Sequence, residues 1–214
     1  MLKALFFAAV LLATGFSGPA YAQGFGSPDE SEDASEKGLD AKGKFIFLIC
    51  IYGKRDHGEV PTKCKEVKAK LRAKYHPKKT IIQINNPSEE RLKKLNENRD
   101  GNIAMVIVVT HSTPEEDALG WDVWDTDMKP SDIGECFEDE WVIWNGCYSQ
   151  AICEEADNLL PVQCDEDFLP VNDNTWWDVV ECLFGSEGPI TREEVCEEVF
   201  GEDWRDDMQD DSDD

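Results

Sequence analysis

The sequence predicts an α/β protein, a three-layer sandwich built on a mainly parallel central sheet and stabilised by disulfides. Three observations predict it. Two continuous apolar runs, Phe45 to Tyr52 and Ile103 to Val109, are hydrophobic on every side, and strands buried on both faces read that way. Helix-forming stretches alternate with such runs, as a parallel sheet covered by helices requires. Eight cysteines follow a leader that looks built for export, and exported domains use cysteines as bridges.

The leader begins with Met1-Leu2-Lys3, a short positive start, and continues with an almost wholly apolar stretch from Ala4 to Phe16. Ser17, Gly18 and Pro19 break it, and Ala20-Tyr21-Ala22 has the small-x-small pattern that signal peptidase reads. Residues 1–22 are therefore expected to be a signal peptide cut after Ala22, which sends the protein to the periplasm or outside the cell. No later run is long and apolar enough to span a membrane. Residues 23–42 are mostly Gly, Ser, Asp and Glu. They offer too little apolar surface to offset their ordering entropy, so a disordered acidic leader is expected there. The folded domain is then 43–205, and residues 206–214 form an acidic tail expected to be disordered as well.

Within the domain, Phe45 to Tyr52 is the first core strand and Gly53 to Pro61 a loop. Thr62 to Tyr75 carries helix formers, with Val67 and Leu71 spaced for one face. Thr80 to Ile84 is the second strand. Asn86-Pro87 opens the next helix, Asn86 as N-cap and Pro87 at the first helical position, with Leu92 and Leu95 inward. Ile103 to Val109 is the third core strand. Gly120 to Asp125 alternates polar and apolar like a small exposed strand, Pro130 to Phe137 is a short helix with Ser131 or Asp132 near its start, and Trp141 to Trp144 is the fourth core strand. Further on, Trp176, Trp177, Val179, Val180, Leu183 and Phe184 fit a helix packed on the sheet. Thr191-Arg192-Glu193-Glu194 is a capping box, opening a last helix with Val195, Val199 and Phe200 inward.

Charge excludes one class of partner. The formal net charge is −25, and such an excess of carboxylates repels nucleic-acid phosphate. The distribution is uneven. Lys63, Lys65, Lys68, Lys70, Arg72, Lys74, Lys78 and Lys79 crowd one stretch, whereas after Gly101 only Lys129, Arg192 and Arg205 are basic. The basic stretch is expected to be a solvated helix face, or a surface that attracts the acidic half of the same chain.

Active sites of parallel sheets lie at the carboxyl ends of the strands. The third core strand runs out into Thr110-His111-Ser112, and the fourth into Asn145-Gly146-Cys147-Tyr148-Ser149. If these strands are neighbours, His111 and Cys147 share one sheet edge. A thiol becomes a useful nucleophile when an imidazole nearby takes its proton.

An apolar strand ending in His111, a small hairpin, a short helix and an apolar strand ending in Cys147-Tyr148-Ser149 resemble the caspase-like cysteine peptidases. These are the caspases, metacaspases, legumains, gingipains and CHAT proteases. The strand, helix, strand and Asn-Pro helix upstream fit the same plan, and the resemblance spans roughly Phe45 to Ala156. It implies a caspase-like fold acting on a peptide or protein substrate. It makes His111 the general base and acid, Cys147 the nucleophile, and the backbone N–H groups of Cys147 and Ser112 the oxyanion donors. Two positions depart from the family pattern: Ser112 and Gln150 stand where the family has glycine. Asp122, Asp125 and Asp127 follow the histidine and would favour basic side chains. His57, in Asp56-His57-Gly58, mimics a His-Gly motif but falls in the loop after the first strand. His76, before Pro77, reads as a solvated turn residue.

A reduced Cys147 leaves seven cysteines, so one more is unpaired. Cys50, inside the first core strand, is the expected one, since buried unpaired cysteine is common. Cys64, Cys136, Cys153, Cys164, Cys182 and Cys196 remain as candidates for three bridges, with open connectivity. No pair of C-x2-C knuckles is present, so no metal site is expected. Asp165, Glu166, Asp167 and Asp173 offer the oxygen ligands calcium takes, but without EF-hand spacing they read as a solvated acidic loop. A cysteine endopeptidase is the first functional expectation. A catalytically inactive, disulfide-stabilised binding or structural protein of the same fold is the alternative. A thiol-redox protein is disfavoured, because no C-x-x-C opens a helix.

Overall fold

The apolar run after Lys44 forms a strand, and the rest of the fold is laid against it. The computed structural model describes residues 38–53, 56–99, 101–114, 121–123, 126–147, 152–153, 155–162 and 175–201, all within one compact unit. The expected signal peptide, most of the acidic leader, the acidic tail, Cys164, Gln150 and the candidate calcium group lie outside the described residues. In chain order the elements are β1 (Phe45–Cys50), α1 (Glu59–Tyr75), β2 (Thr80–Asn85), α2 (Glu89–Glu97), β3 (Ile103–Val109), β4 (Ser112–Pro114) and β5 (Trp121–Val123). They continue with α3 (Pro130–Glu135), β6 (Val142–Asn145), β7 (Leu159–Pro161), α4 (Thr175–Gly185) and α5 (Arg192–Phe200).

Five strands form one sheet in the order β2-β1-β3-β6-β7, and every pair in it is parallel. Strands β4 and β5 form a separate antiparallel pair. Side chains alternate across a strand, and here they divide between two cores. Ile46, Leu48, Met105, Ile107 and Ile143 pack beneath α1, α4 and α5. Phe47, Ile49, Val106, Val108 and Trp144 pack beneath α2 and α3. This is the expected α/β arrangement, with helices on both faces of a parallel sheet.

Several boundaries differ from expectation for local reasons. Helix α1 begins at Glu59, inside the expected loop, and takes Pro61 into its first turn. Proline is tolerated there because the first N–H groups of a helix have no intrahelical partner. Its N-cap is Gly58 at φ 93°, a left-handed conformation that glycine adopts without a Cβ penalty. Ser88, not Asn86, caps α2, its hydroxyl accepting from the Arg91 N–H. Asn86 instead turns the chain at φ 43° and accepts from the Tyr52 N–H through Oδ1 at 2.8 Å. In α5 Thr191 is the N-cap, with the reciprocal Glu194 contact expected of a capping box.

The leader's boundary also moves. Leu39 pairs with Ile190 through two backbone hydrogen bonds, and Leu39 and Ala41 are buried. These apolar residues find the core, so the last part of the 23–42 segment is ordered. Strand β7 was not expected. Its Leu159-Leu160-Pro161 is short and gains strand form by pairing with β6.

The cysteine scheme is corrected. Cys50 is not a lone thiol: it is bridged to Cys64, with the Cα atoms 6.4 Å apart, within the usual reach of a disulfide. Both point to the face beneath α1. Cys136 and Cys182 carry free thiols, and the sheet separates the cores they belong to. Cys153 and Cys196 are both buried, Cys153 in the core beneath α2 and α3.

Candidate active site

Strand pairing brings the two strand ends together. Val109 of β3 lies opposite Asn145 of β6, and the Thr110 N–H continues the ladder to the Asn145 carbonyl at 3.3 Å. His111 and Cys147 each follow this last pair by two residues. They therefore stand at neighbouring carboxyl ends of a parallel sheet. The Ser112 hydroxyl donates to the Cys147 carbonyl at 2.5 Å, which ties the two strand extensions directly. Between them Gly146 has no room for a side chain, since a Cβ there would lie 2.9 Å from the Thr110 carbonyl oxygen.

The first strand completes the edge. Ile51 N–H donates to the Val109 carbonyl at 3.0 Å, and the Thr110 hydroxyl donates to the Ile51 carbonyl at 3.2 Å. The loop from β1 into α1 then carries Asp56 to the histidine. Asp56 Oδ1 lies 3.4 Å from His111 Nε2, and Glu59 Oε2 lies 3.7 Å from the same nitrogen. The two carboxylates differ in setting. The Asp56 side chain is 2% exposed and that of Glu59 is 65% exposed. Asp56 Oδ1 also accepts from the Glu59 and Val60 N–H groups at 3.1 and 3.2 Å, donors that a helix start leaves without an intrahelical partner.

Cys147 is buried. Burial pushes its thiol above the ordinary range, a backbone hydrogen bond at the same residue opposes this, and the Glu59 charge adds to the rise. The rise favours the thiol over the thiolate, and attack on a carbonyl requires a base to remove that proton. Asn145 Nδ2 and Trp144 Nε1, buried just before Cys147, have no hydrogen-bond partner among the described residues.

The other expected site residues are scattered. Ser112 opens β4 opposite Val123. Asp122 falls in β5 opposite Thr113, Asp125 lies outside the described residues, and Asp127 is exposed ahead of α3. His57 and His76 are exposed. Asp56 and Glu59 were not singled out by sequence, although Asp56 stands three and four residues before the N–H groups it accepts. That spacing was the available signal, and it was obscured by placing the helix start at Thr62. Among the described residues no group of three or more His, Cys, Asp or Glu could hold a metal ion. A cavity of about 810 Å³ between α4 and α5 is lined by Glu181, Cys182, Ile190, Glu194 and Val199 among others. It shares no lining residue with the strand-end cluster.

Compared with protein-family models, with curated proteins and with solved structures, the chain matches none.

Proposed function

We propose that this protein is a cysteine endopeptidase of caspase-like design, with Cys147 as nucleophile and His111 as general base and acid. The single observation that carries the reading is the Val109–Asn145 pairing, which puts a histidine and a cysteine two residues beyond adjacent parallel strands. The chemistry follows from the residue types. His111 takes the proton from Cys147 Sγ as the sulfur bonds to a peptide carbonyl carbon. The carbonyl oxygen, now negative, is stabilised by backbone N–H groups, that of Cys147 first. The C–N bond then breaks, the imidazolium returns its proton to the leaving amine, and water hydrolyses the thioester. Peptides containing Arg or Lys are the first substrates to try, because Glu59 places an exposed carboxylate beside His111. We propose in addition that the protein is exported, secreted or periplasmic. The Met1–Ala22 pattern supports this, as does the Cys50–Cys64 bridge, a cross-link typical of oxidising compartments.

The test is hydrolysis of a mixed peptide library by wild type and by Cys147→Ala, read by mass spectrometry. Cleavage by the wild type and none by the variant supports the reading. Equal cleavage by both removes the dyad from the reaction.

One observation favours a second reading, a catalytically inactive protein of the same fold that binds or supports a partner. Cys147 is 3% exposed, and burial pushes its thiol above the ordinary range. Iodoacetamide labelling under native conditions separates the two. Modification of Cys147 within minutes fits the peptidase; labelling only after unfolding fits the binding protein.

A further inference from the structure

We infer that Asp56 is a positioning residue for His111: its carboxylate holds the imidazole with the ring proton on Nε2, so that Nδ1 is the basic nitrogen. Its part in catalysis rests on the peptidase reading, whereas its hold on the ring does not. The inference starts from chemistry. An ionised carboxylate can only accept hydrogen bonds. A neutral imidazole next to one therefore donates from the nitrogen that faces it, and the other nitrogen becomes the acceptor. Here the facing nitrogen is Nε2, at 3.4 Å from Asp56 Oδ1.

Three features fix Asp56 for this work. Its side chain is 2% exposed, and a buried carboxylate stays put only where donors satisfy it. The Glu59 and Val60 N–H groups supply them, both to the same oxygen. The chain on either side is held by the Cys50–Cys64 bridge, whose ends flank the loop that carries Asp56. Glu59 competes poorly for the ring, being farther from Nε2 at 3.7 Å and 65% exposed. During thiol attack the proton leaves Cys147 Sγ and arrives on His111 Nδ1. The ring is then a cation beside a fixed anion, and the same proton later goes to the leaving amine. A misoriented or wrongly protonated ring cannot perform either transfer.

The experiment is long-range 15N–1H NMR of the histidine rings, at a pH where His111 is neutral, in wild type, Asp56→Ala, Asp56→Asn and Glu59→Ala. Steady-state kinetics on a cleaved peptide run beside it. The expected wild-type tautomer has the proton on Nε2. Asp56→Asn keeps an acceptor oxygen and keeps that tautomer, and Asp56→Ala loses the preference. With activity present, kcat falls in Asp56→Ala by up to about 10⁴-fold, the scale of effect of disabling the carboxylate that orients a general-base histidine, while KM stays within about twofold. A wild-type proton on Nδ1 overturns the inference without any variant. So does an Asp56→Ala protein with the wild-type tautomer, or a tautomer that responds to Glu59→Ala instead. Absence of hydrolysis by the wild type removes the peptidase reading, and the tautomer measurement still decides Asp56's hold on His111.

Discussion

The two faces of the sheet are held by different means. Beneath α1, α4 and α5 the packing is cross-linked and rimmed with charge. Cys50 is bonded to Cys64, Lys74 pairs with Glu181, Lys70 Nζ sits 4.2 Å from the centre of the Trp177 ring, and Tyr75 lies against Phe184 with ring centres 4.5 Å apart. Lys74 and Glu181 join the basic stretch to the acidic half at one exposed pair, and Lys63 of the same stretch is buried. Beneath α2 and α3 no covalent link occurs among the described residues. Phe47 meets Phe137 edge to face at 5.9 Å, and Asn158 Nδ2 donates to the carbonyls of Gly134, Phe137 and Glu140. The difference teaches where accuracy is needed. The bridge spans the loop that delivers Asp56 to His111, and a loop has few packing contacts to fix it. The opposite face supports the strands from behind, where close packing suffices.

The largest effect is expected beneath α2 and α3. Phe137→Ala removes a fully buried ring and should cost about 3–5 kcal/mol in urea unfolding; a loss below 1 kcal/mol would mean that face is not a packed core. Next comes the paired change Cys50→Ala with Cys64→Ala. The bridged residues are 14 apart in sequence, so chain entropy alone predicts a loss of about 3 kcal/mol. Its effect should add to that of Phe137→Ala, because the sites lie in separate cores. Strong non-additivity would show that the two faces act as one.

Alkaline titration compares the faces again. Burial pushes the Cys136 thiol from 9.0 up to about 11. Burial first, and Glu181 second, push the Tyr75 hydroxyl from 10.0 up to about 12. Both groups are neutral when protonated, and the unfolded chain loses these protons first. Their stabilisation is complete below the unfolded values and is lost as pH rises through the folded ones. Stability should fall from pH 9 to about 11 through Cys136 and from pH 10 to about 12 through Tyr75. Cys136→Ala should shrink the earlier fall, to which the Cys147 and Cys182 thiols, also pushed up by burial, contribute as well, and should leave the later fall unchanged, as followed by near-UV circular dichroism. The smallest effect belongs to Glu181→Gln. That carboxylate is exposed, its pKa is lowered first by the hydrogen bond from Lys74, and any difference from wild type should vanish in 1 M salt.

The strands and most helices were legible in the sequence because their signals are local. Continuous apolar runs gave β1 and β3, and Thr191 with Glu194 gave the start of α5. Strand β7 was not legible, since Leu159-Leu160-Pro161 is too short to carry a period and becomes a strand only against β6. The α1 start was misjudged because Pro61 reads as a breaker, although the first turn of a helix accepts it. At the candidate site, the positions of His111 and Cys147 at strand ends could be read in advance. Ser112's side chain tying to the Cys147 carbonyl could not.

By itself, then, the sequence determined the alternation of buried strands and helices, the charge asymmetry and the two strand ends where a histidine and a cysteine emerge. These depend on side-chain type and spacing along the chain. Only the tertiary structure decided that Cys50 is bridged to Cys64, that β3 and β6 are neighbours, and that Asp56 reaches His111. Each of these joins residues distant in sequence, and their approach depends on the order of strands in the sheet and the path of the β1–α1 loop. Periodicity along the chain carries neither.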